Sequence, residues 1–501
     1  MGAAFPFFSP DGQWLGFFQD GRLKKVAVEG GPVLDLAAAD GFGGMWSQDD
    51  TIYYSPHYDE GVWRISSAGG APEPVTKPNR EENELGHWYP QMLPDGKSLL
   101  YNAYRSPIDK ARVVVLSLET GERRVLLEGA FHARYASSGH LVYGGKDAIM
   151  AVPFNLSRLE VTGLPVPVLE DVYVNPPGGN TAFSFSENGT LVYARDEVVD
   201  PPRRLVWVDQ EGNATPLGDK LRSYHSPHLS PDGRKLAVTI LERGVGDVWI
   251  EDLEFGTQTR ISLGETDDYR AVWAPDGQHL IYSSEREGPY QLYRKALDGR
   301  APEEPLLEDR WDKHPNAVLP DGTVVAFQKL RFETAADIWM LPLTPDGTAP
   351  VPFIETEFTE KNAVFSPDGR WLAYESNESG RFEIYVVGYP DAEARRQVST
   401  EGGISPRWDP SGRELYYRNG DKMMAVTIDT DPDLSPSQPV VLFEGQYTVD
   451  PFANDARNYD ISPDGERFLM VRESQVRAKA DELYVVVNWF EELKRLVPIE
   501  K

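Results

Sequence analysis

The chain has 501 residues, 79 acidic against 50 basic side chains, a formal charge of −29 and no cysteine. Such acidity argues against nucleic acid or an anionic membrane surface as partner, because both are held by Lys and Arg, and the missing thiols exclude disulfides, thiolate metal sites and cysteine nucleophiles. A hydrophobic share of 40% with 44 Gly and 40 Pro describes a globular, turn-dense chain, and no apolar run approaches the ~18 residues that span a bilayer.

A tetrapeptide of the type Ser-Pro-Asp-Gly recurs from end to end, at 9–12, 47–50, 93–96, 136–139, 186–189, 230–233, 274–277, 319–322, 366–369, 409–412 and 462–465. The mean spacing is about 45 residues, the period of a four-stranded propeller blade. Within each copy Pro presets φ, Asp suits the third turn position and Gly accepts the positive φ that closes a tight hairpin. The residue before each copy is apolar in all eleven, from Phe8 to Ile461, so this position is expected to face packed neighbours.

β-prone runs follow the turns, at 14–18, 99–101, 141–143, 191–193, 280–282, 371–374 and 468–471. A third run opens with an acidic or amide residue, then an apolar and an aromatic: Asp247-Val-Trp, Gln291-Leu-Tyr, Asp337-Ile-Trp, Glu383-Ile-Tyr and Glu482-Leu-Tyr. Short outer runs such as 259–262 and 397–399 complete the unit. The single helical pattern is 489–497, with Phe490, Leu493 and Val497 on one face, read as a C-terminal seal.

The expected architecture is all-β: eleven four-stranded blades in two consecutive propellers, the second six-bladed, with a short C-terminal helix. The Asp200-Pro-Pro break places the boundary so that 1–199 form an N-terminal propeller of five recognisable blades and 200–501 the six-bladed one.

Ser366-Pro-Asp-Gly-Arg-Trp-Leu-Ala-Tyr374 and Ser230-Pro-Asp-Gly-Arg-Lys-Leu-Ala-Val238 resemble the turn-and-strand hallmark of TolB-like, WD-repeat-like propellers. A narrower resemblance, through 5–28, 183–212, 434–473 and 488–494, is to the propeller tails of bacterial serine/threonine kinase-like proteins. That resemblance implies a sensor or interaction module in a signalling protein, with a catalytic domain and often a membrane helix upstream. It also implies a first blade before Phe5, hence a shortened chain. The compartment it implies is extracytoplasmic for a membrane-anchored protein, and cytoplasmic for a chain complete as written.

Motifs for chemistry fail on inspection. Kinase loops and a Walker A sequence are absent, and Ala71-Pro-Glu73 lies in a Gly/Pro turn. Gly403-Ile-Ser405-Pro-Arg407 misses the last glycine of a nucleophile elbow. Asp429-Thr-Asp431-Pro-Asp433 lacks the Gly and Glu that complete a calcium loop. Neither a zinc-protease motif nor any cofactor signature is found, and His225 and His228 sit three apart on an extended run, on opposite faces.

One constellation remains. Five and four residues before the turn, where each innermost strand begins, the last six units carry His225/Ser226, Tyr269/Arg270, His314/Pro315, Lys361/Asn362, Ile404/Ser405 and Arg457/Asn458. Innermost strands line a propeller's channel, so His225, Arg270, His314, Lys361 and Arg457 are expected to form a basic fringe at one mouth, suited to a small anion or a peptide carboxylate. Trp88 and Trp311 are expected in loops as a further binding face, whereas Trp249, Trp273, Trp339, Trp371 and Trp408 are expected between blades. The sequence reads as a non-catalytic scaffold for a protein, peptide or small ligand; the alternative is a propeller enzyme or the regulatory propeller of a peptidase, with its site or gate in the channel.

Overall fold

The computed structural model describes residues 3–499 apart from 20, 40, 106–109, 146–147, 171, 173, 176–179, 196–201, 243–244, 263–265, 287–288, 300–301, 332–334, 344–348, 431–433, 449–456, 458 and 475–482. The chain divides into two units: Met1–Val199 with Lys479–Lys501, and Asp200–Ala478. The C-terminal stretch therefore belongs with the first unit, a correction to the 200–501 domain expected above.

The repeated turn is built as its residues dictate. In the 230–233 copy Gly233 N donates to Ser230 O (2.8 Å) with Gly233 at φ +69°. Ser230 Oγ donates to Asp232 Oδ1 (2.6 Å) and accepts from Lys235 N (2.9 Å). The serine thus ties the turn to the start of the next strand. Ser366 does the same with Asp368 and Trp371 N.

Each turn joins the two inner strands of an antiparallel sheet. In the second unit Ser223–Leu229, Lys235–Glu242, Val245–Asp252 and Gln258–Arg260 form the first blade, in that order. Blades led by Asp268–Trp273, Lys313–Val318, Glu360–Phe365 and Ile404–Trp408 follow. The sixth is shared between chain ends: Tyr459–Ile461 and Arg467–Glu473 supply its inner strands, Arg203–Asp209 and Ala214–Pro216 its outer ones. The register runs from Arg203 opposite Glu473 to Asp209 opposite Arg467. Ser223–Leu229 touches both Asp268–Trp273 and Tyr459–Ile461, so the six innermost strands form a closed circle. Pairing both ends in one sheet leaves no blade with an open radial interface.

The first unit has sheets led by Ala4–Phe8, Gly44–Trp46, Gly86–Met92, Phe131–Ala136 and Phe183–Phe185. In the last of these the third strand is Tyr484–Val486, beside Leu191–Tyr193. The run begun by Glu482, itself outside the described residues, was expected in the sixth blade of the second unit; instead it completes a sheet of the first. Eleven blade sheets result. Eight have four strands, two have five and one has three among the described residues, besides the ribbon Val174–Asn175 with Asn180–Thr181.

The core lies between blades. Val364, Ala373 and Ile384 of one sheet meet Trp408, Leu415 and Tyr417 of the next. Trp249, Trp273, Trp339 and Trp371 join equivalent clusters. The helix Trp489–Leu496 sets Trp489, Leu493 and Val497 against Phe183 and Leu191. Phe8 departs from the expectation for pre-turn residues and is 62% exposed. No helix among the described residues is long and apolar enough to cross a membrane.

Candidate functional site

The innermost strands of the second unit share an irregularity. Their pairing slips between His225 and His228, Tyr269 and Val272, Lys361 and Val364, and Ile404 and Arg407. At the slip Ser226, Arg270, Asn362 and Ser405 have φ of 47°, 56°, 53° and 55°. All stand six residues before the third residue of the turn. A bulge inserts one extra residue and re-aims its side chain, here at one height in four of the six blades.

Four residues of this register, Ser226, Arg270, Pro315 and Asn362, line a single pocket. Ala271, Val272 and Asn316 add to its wall, and Arg407 and Arg457 complete it. Among the described residues the lining therefore holds three guanidinium groups and no carboxylate.

The cations are poorly compensated. Arg270 Nε and Nη1 are buried without a hydrogen-bond partner, as is Ser226 Oγ. Arg407, 7% exposed, donates through Nη1 to Pro406 O (2.6 Å), and its Nε is 3.8 Å from Asp460 Oδ1. Asp460 also accepts from Leu229 N (2.7 Å). Arg457 Nη2 donates to Asn316 O at 2.6 Å. Burial and neighbouring Arg407 pull the Arg457 pKa down to about 9. Burial likewise raises that of Asp460, against the pull of Arg457 and Arg407. His228 is held neutral, its pKa pushed well down by burial and by the same two arginines.

Two of the expected residues reach this place: Arg270, the second of its pair and itself the left-handed residue, and Arg457, although it is the first of its pair. His225, His314 and Lys361 precede the bulged residue and are turned in between strands, which corrects their assignment to the fringe. His225 lies beside Arg203, 3.2 Å from its Nη1. His314 Nδ1 is 2.9 Å from Ser283 Oγ. The Lys361 ammonium sits 3.9 Å from Glu375 Oε2 and 4.1 Å above the Phe382 ring. Asn458 and the run 431–433 lie outside the described residues.

Trp88 is also corrected: it belongs to the strand Gly86–Met92, is 3% exposed, stacks on Tyr104 at 4.1 Å and donates Nε1–H to Tyr58 O (2.8 Å). Trp311 is in a pre-strand segment, half-buried, with the Arg310 guanidinium 4.7 Å over its ring. Arg407 was missed. Its signal is positional: the same register holds Val272, Ala317 and Val364 in three blades but His228 and Asp460 in the other two, and the latter two interact electrostatically with Arg407.

The same register in the first unit has the opposite chemistry. Phe5, Gly43, Tyr89 and His132 carry φ of 48°, 96°, 55° and 49°. Phe5 and Tyr89 rings are 6.1 Å apart, Tyr89 and His132 4.5 Å. A side chain on Gly43 would strike the Tyr89 ring and backbone at about 3 Å. His132 Nδ1 accepts from Thr181 N (3.1 Å), and burial beside Arg134 lowers its pKa to about 3. Uncharged rings fill this place. Among the described residues no group of three His, Asp or Glu is arranged to hold a metal.

Comparison with known proteins agrees with the repeat. The profile of a TolB beta propeller domain matches residues 185–341. An uncharacterized protein of Agrobacterium fabrum is 28% identical over 237 residues, 44% of this chain and 77% of that one. The uncharacterized peptidase YuxL of Bacillus subtilis is 31% identical over 103 residues, 19% of this chain and 15% of the peptidase. Among solved structures, a putative TolB from Agrobacterium tumefaciens aligns with a TM-score of 0.45 at 19% identity, covering 55% of this chain and 99% of that one. With its sheets and its matched segment, the chain is a β-propeller protein whose residues 185–341 are similar to a TolB beta propeller domain.

Proposed function

We propose that this chain is a non-catalytic binding module that engages its ligand at the cationic cavity in the second unit's ring. A TolB-like propeller supports a binding or scaffold role in general. The observation that carries the specific reading is the meeting of Arg270, Arg407 and Arg457 around one cavity in a chain of charge −29. Three cations gathered there focus a positive potential that an otherwise acidic surface lacks. An acidic protein, peptide or small molecule is the matching ligand class.

The test is a titration of acidic peptides against the purified chain, read by calorimetry, beside Arg270→Ala and Arg457→Ala. Binding that both substitutions abolish is expected; binding that neither changes contradicts the reading. The kinase-tail resemblance adds a signalling context to this proposal, and the genomic sequence upstream of Met1 tests it: an in-frame kinase domain supports it, an unrelated upstream sequence contradicts it. The peptidase reading has the short match to YuxL in its favour, without a nucleophile motif in this chain.

A further inference from the structure

The cavity's contents carry the reading one step further, to the chemistry of the ligand, and this step rests on the binding role just proposed. A guanidinium buried without a partner is costly, because it has surrendered water and gained nothing. Arg270 has two such nitrogens, and Ser226 offers a third buried polar atom without a partner, its residue only 4% exposed. Neither is joined to a carboxylate among the described residues. The neighbouring acids are already engaged, Asp460 by Arg407 and Leu229 N and Glu375 by Asn362 Nδ2, Ser405 N and Lys361.

We infer that the cavity is a carboxylate-binding site, with Arg270 as its principal anchor, Arg407 and Arg457 as flanking cations and the Ser226 hydroxyl as a donor. A planar guanidinium offers paired N–H groups that grip two oxygens of a carboxylate or of a phosphate alike, so the choice between them rests on the rest of the wall. The apolar part of the wall, Ala271, Val272 and Pro315 beside Asn316 and Asn362, suits the carbon skeleton behind a carboxylate, whereas a phosphate would present oxygens in that direction too. Phosphate sites also draw on runs of backbone N–H groups at helix N-termini or nests, and the described part of this unit contains no helix.

The carboxylate has two sources, a free small acid or the C-terminus of a peptide. Succinate, inorganic phosphate, a hexapeptide with a free C-terminus and its amidated form are titrated into the full chain at constant ionic strength set with sodium chloride. Saturable binding of succinate or of the free-acid peptide is expected, at least tenfold tighter than phosphate. Arg270→Ala should weaken it at least tenfold, and Arg270→Lys, which keeps the charge but not the fork, at least threefold, with circular dichroism reporting a folded protein.

A preference for the free-acid peptide over succinate marks a chain terminus as the source, the reverse a small acid. Equal binding of phosphate, or affinity unchanged in Arg270→Lys, overturns the inference. Acidic peptides that bind equally well when amidated, with succinate silent, overturn the carboxylate terminus while sparing the broader binding role. If neither peptides nor acids bind, both fall.

Discussion

Arg457 and Asn316 stand 141 residues apart in sequence, yet Arg457 Nη2 donates to Asn316 O at 2.6 Å. Arg457 leads the sixth blade of the second unit and Asn316 lies in the third, on the opposite side of a six-membered ring. A side chain therefore spans the ring at the level of the cavity. Its guanidinium is strained electrostatically by burial and by Arg407, which together lower its pKa to about 9.

That strain predicts a trade between stability and binding. Arg457→Met removes a buried charge while keeping much of the apolar stem, so the unliganded protein should be as stable as the parent or more so. Succinate binding should fall at least tenfold. Chemical denaturation with and without succinate checks both halves; a large loss of unliganded stability would mean that the strap holds the ring together.

The carboxylate of Asp267 gives a pH signature. Its pKa is pushed up to about 6 by burial, with Asp268 and Asp247 adding and the Tyr290 hydroxyl and Gly246 N–H opposing. A folded-state pKa above the ordinary 3.8 means that its contribution to stability is full below that value and is lost as pH rises through about 6. Asp267→Asn should therefore gain on the parent between pH 4 and pH 7, by on the order of 1–2 kcal/mol. Urea midpoints of the two proteins across that range measure it, and a difference independent of pH would show that Asp267 titrates normally.

The turn serines act in the opposite direction. The Ser230 hydroxyl and Arg234 N–H lower the Asp232 pKa, so this carboxylate stabilises the fold above its ordinary range and the benefit disappears as pH falls through the lowered value. Ser230→Ala also deprives Lys235 N of its acceptor. The expected cost at pH 7 is about 1 kcal/mol, read from the denaturation midpoint, whereas no change would mean that water replaces the hydroxyl fully.

The C-terminal helix should be part of the first unit's stability. Leu493 is fully buried against Phe183 and Leu191, and His140 Nε2 is 2.7 Å from Val497 O. Leu493→Ala leaves a cavity expected to cost about 2–5 kcal/mol. Hydrogen exchange should show the loss in the sheets of 3–199 and leave those of 203–474 unchanged; equal loosening of both would contradict the division of the chain.

Much of this fold is legible in the sequence because the turn is chemically demanding. Ser, Pro, Asp and Gly each answer a separate need of a tight hairpin, so eleven copies mark eleven blade sheets. Ring closure is less legible, since nothing local in 203–216 says that it pairs with 467–473, or that Tyr484–Val486 returns to the first unit. The site was half legible. Innermost strands line a propeller's channel, which assigns His225, His314 and Lys361 there, but the strand register slips beyond these residues and their side chains are buried, while Arg270, at a left-handed residue, lines the cavity. Arg407 was hidden because its register, two residues before the turn, is mixed: Val272, Ala317 and Val364 in three blades, His228 and Asp460 in two.

The central claim is a location as well as a chemistry, so the most direct measurement is a crystal of the full chain soaked in 4-bromobenzoate, whose aryl bromide is not displaced, and examined for bromine anomalous signal. The account predicts a peak in the second unit's ring, with the carboxylate against Arg270 and within reach of Arg457. No peak beside Arg270, or a stronger one among Phe5, Tyr89 and His132, would contradict it.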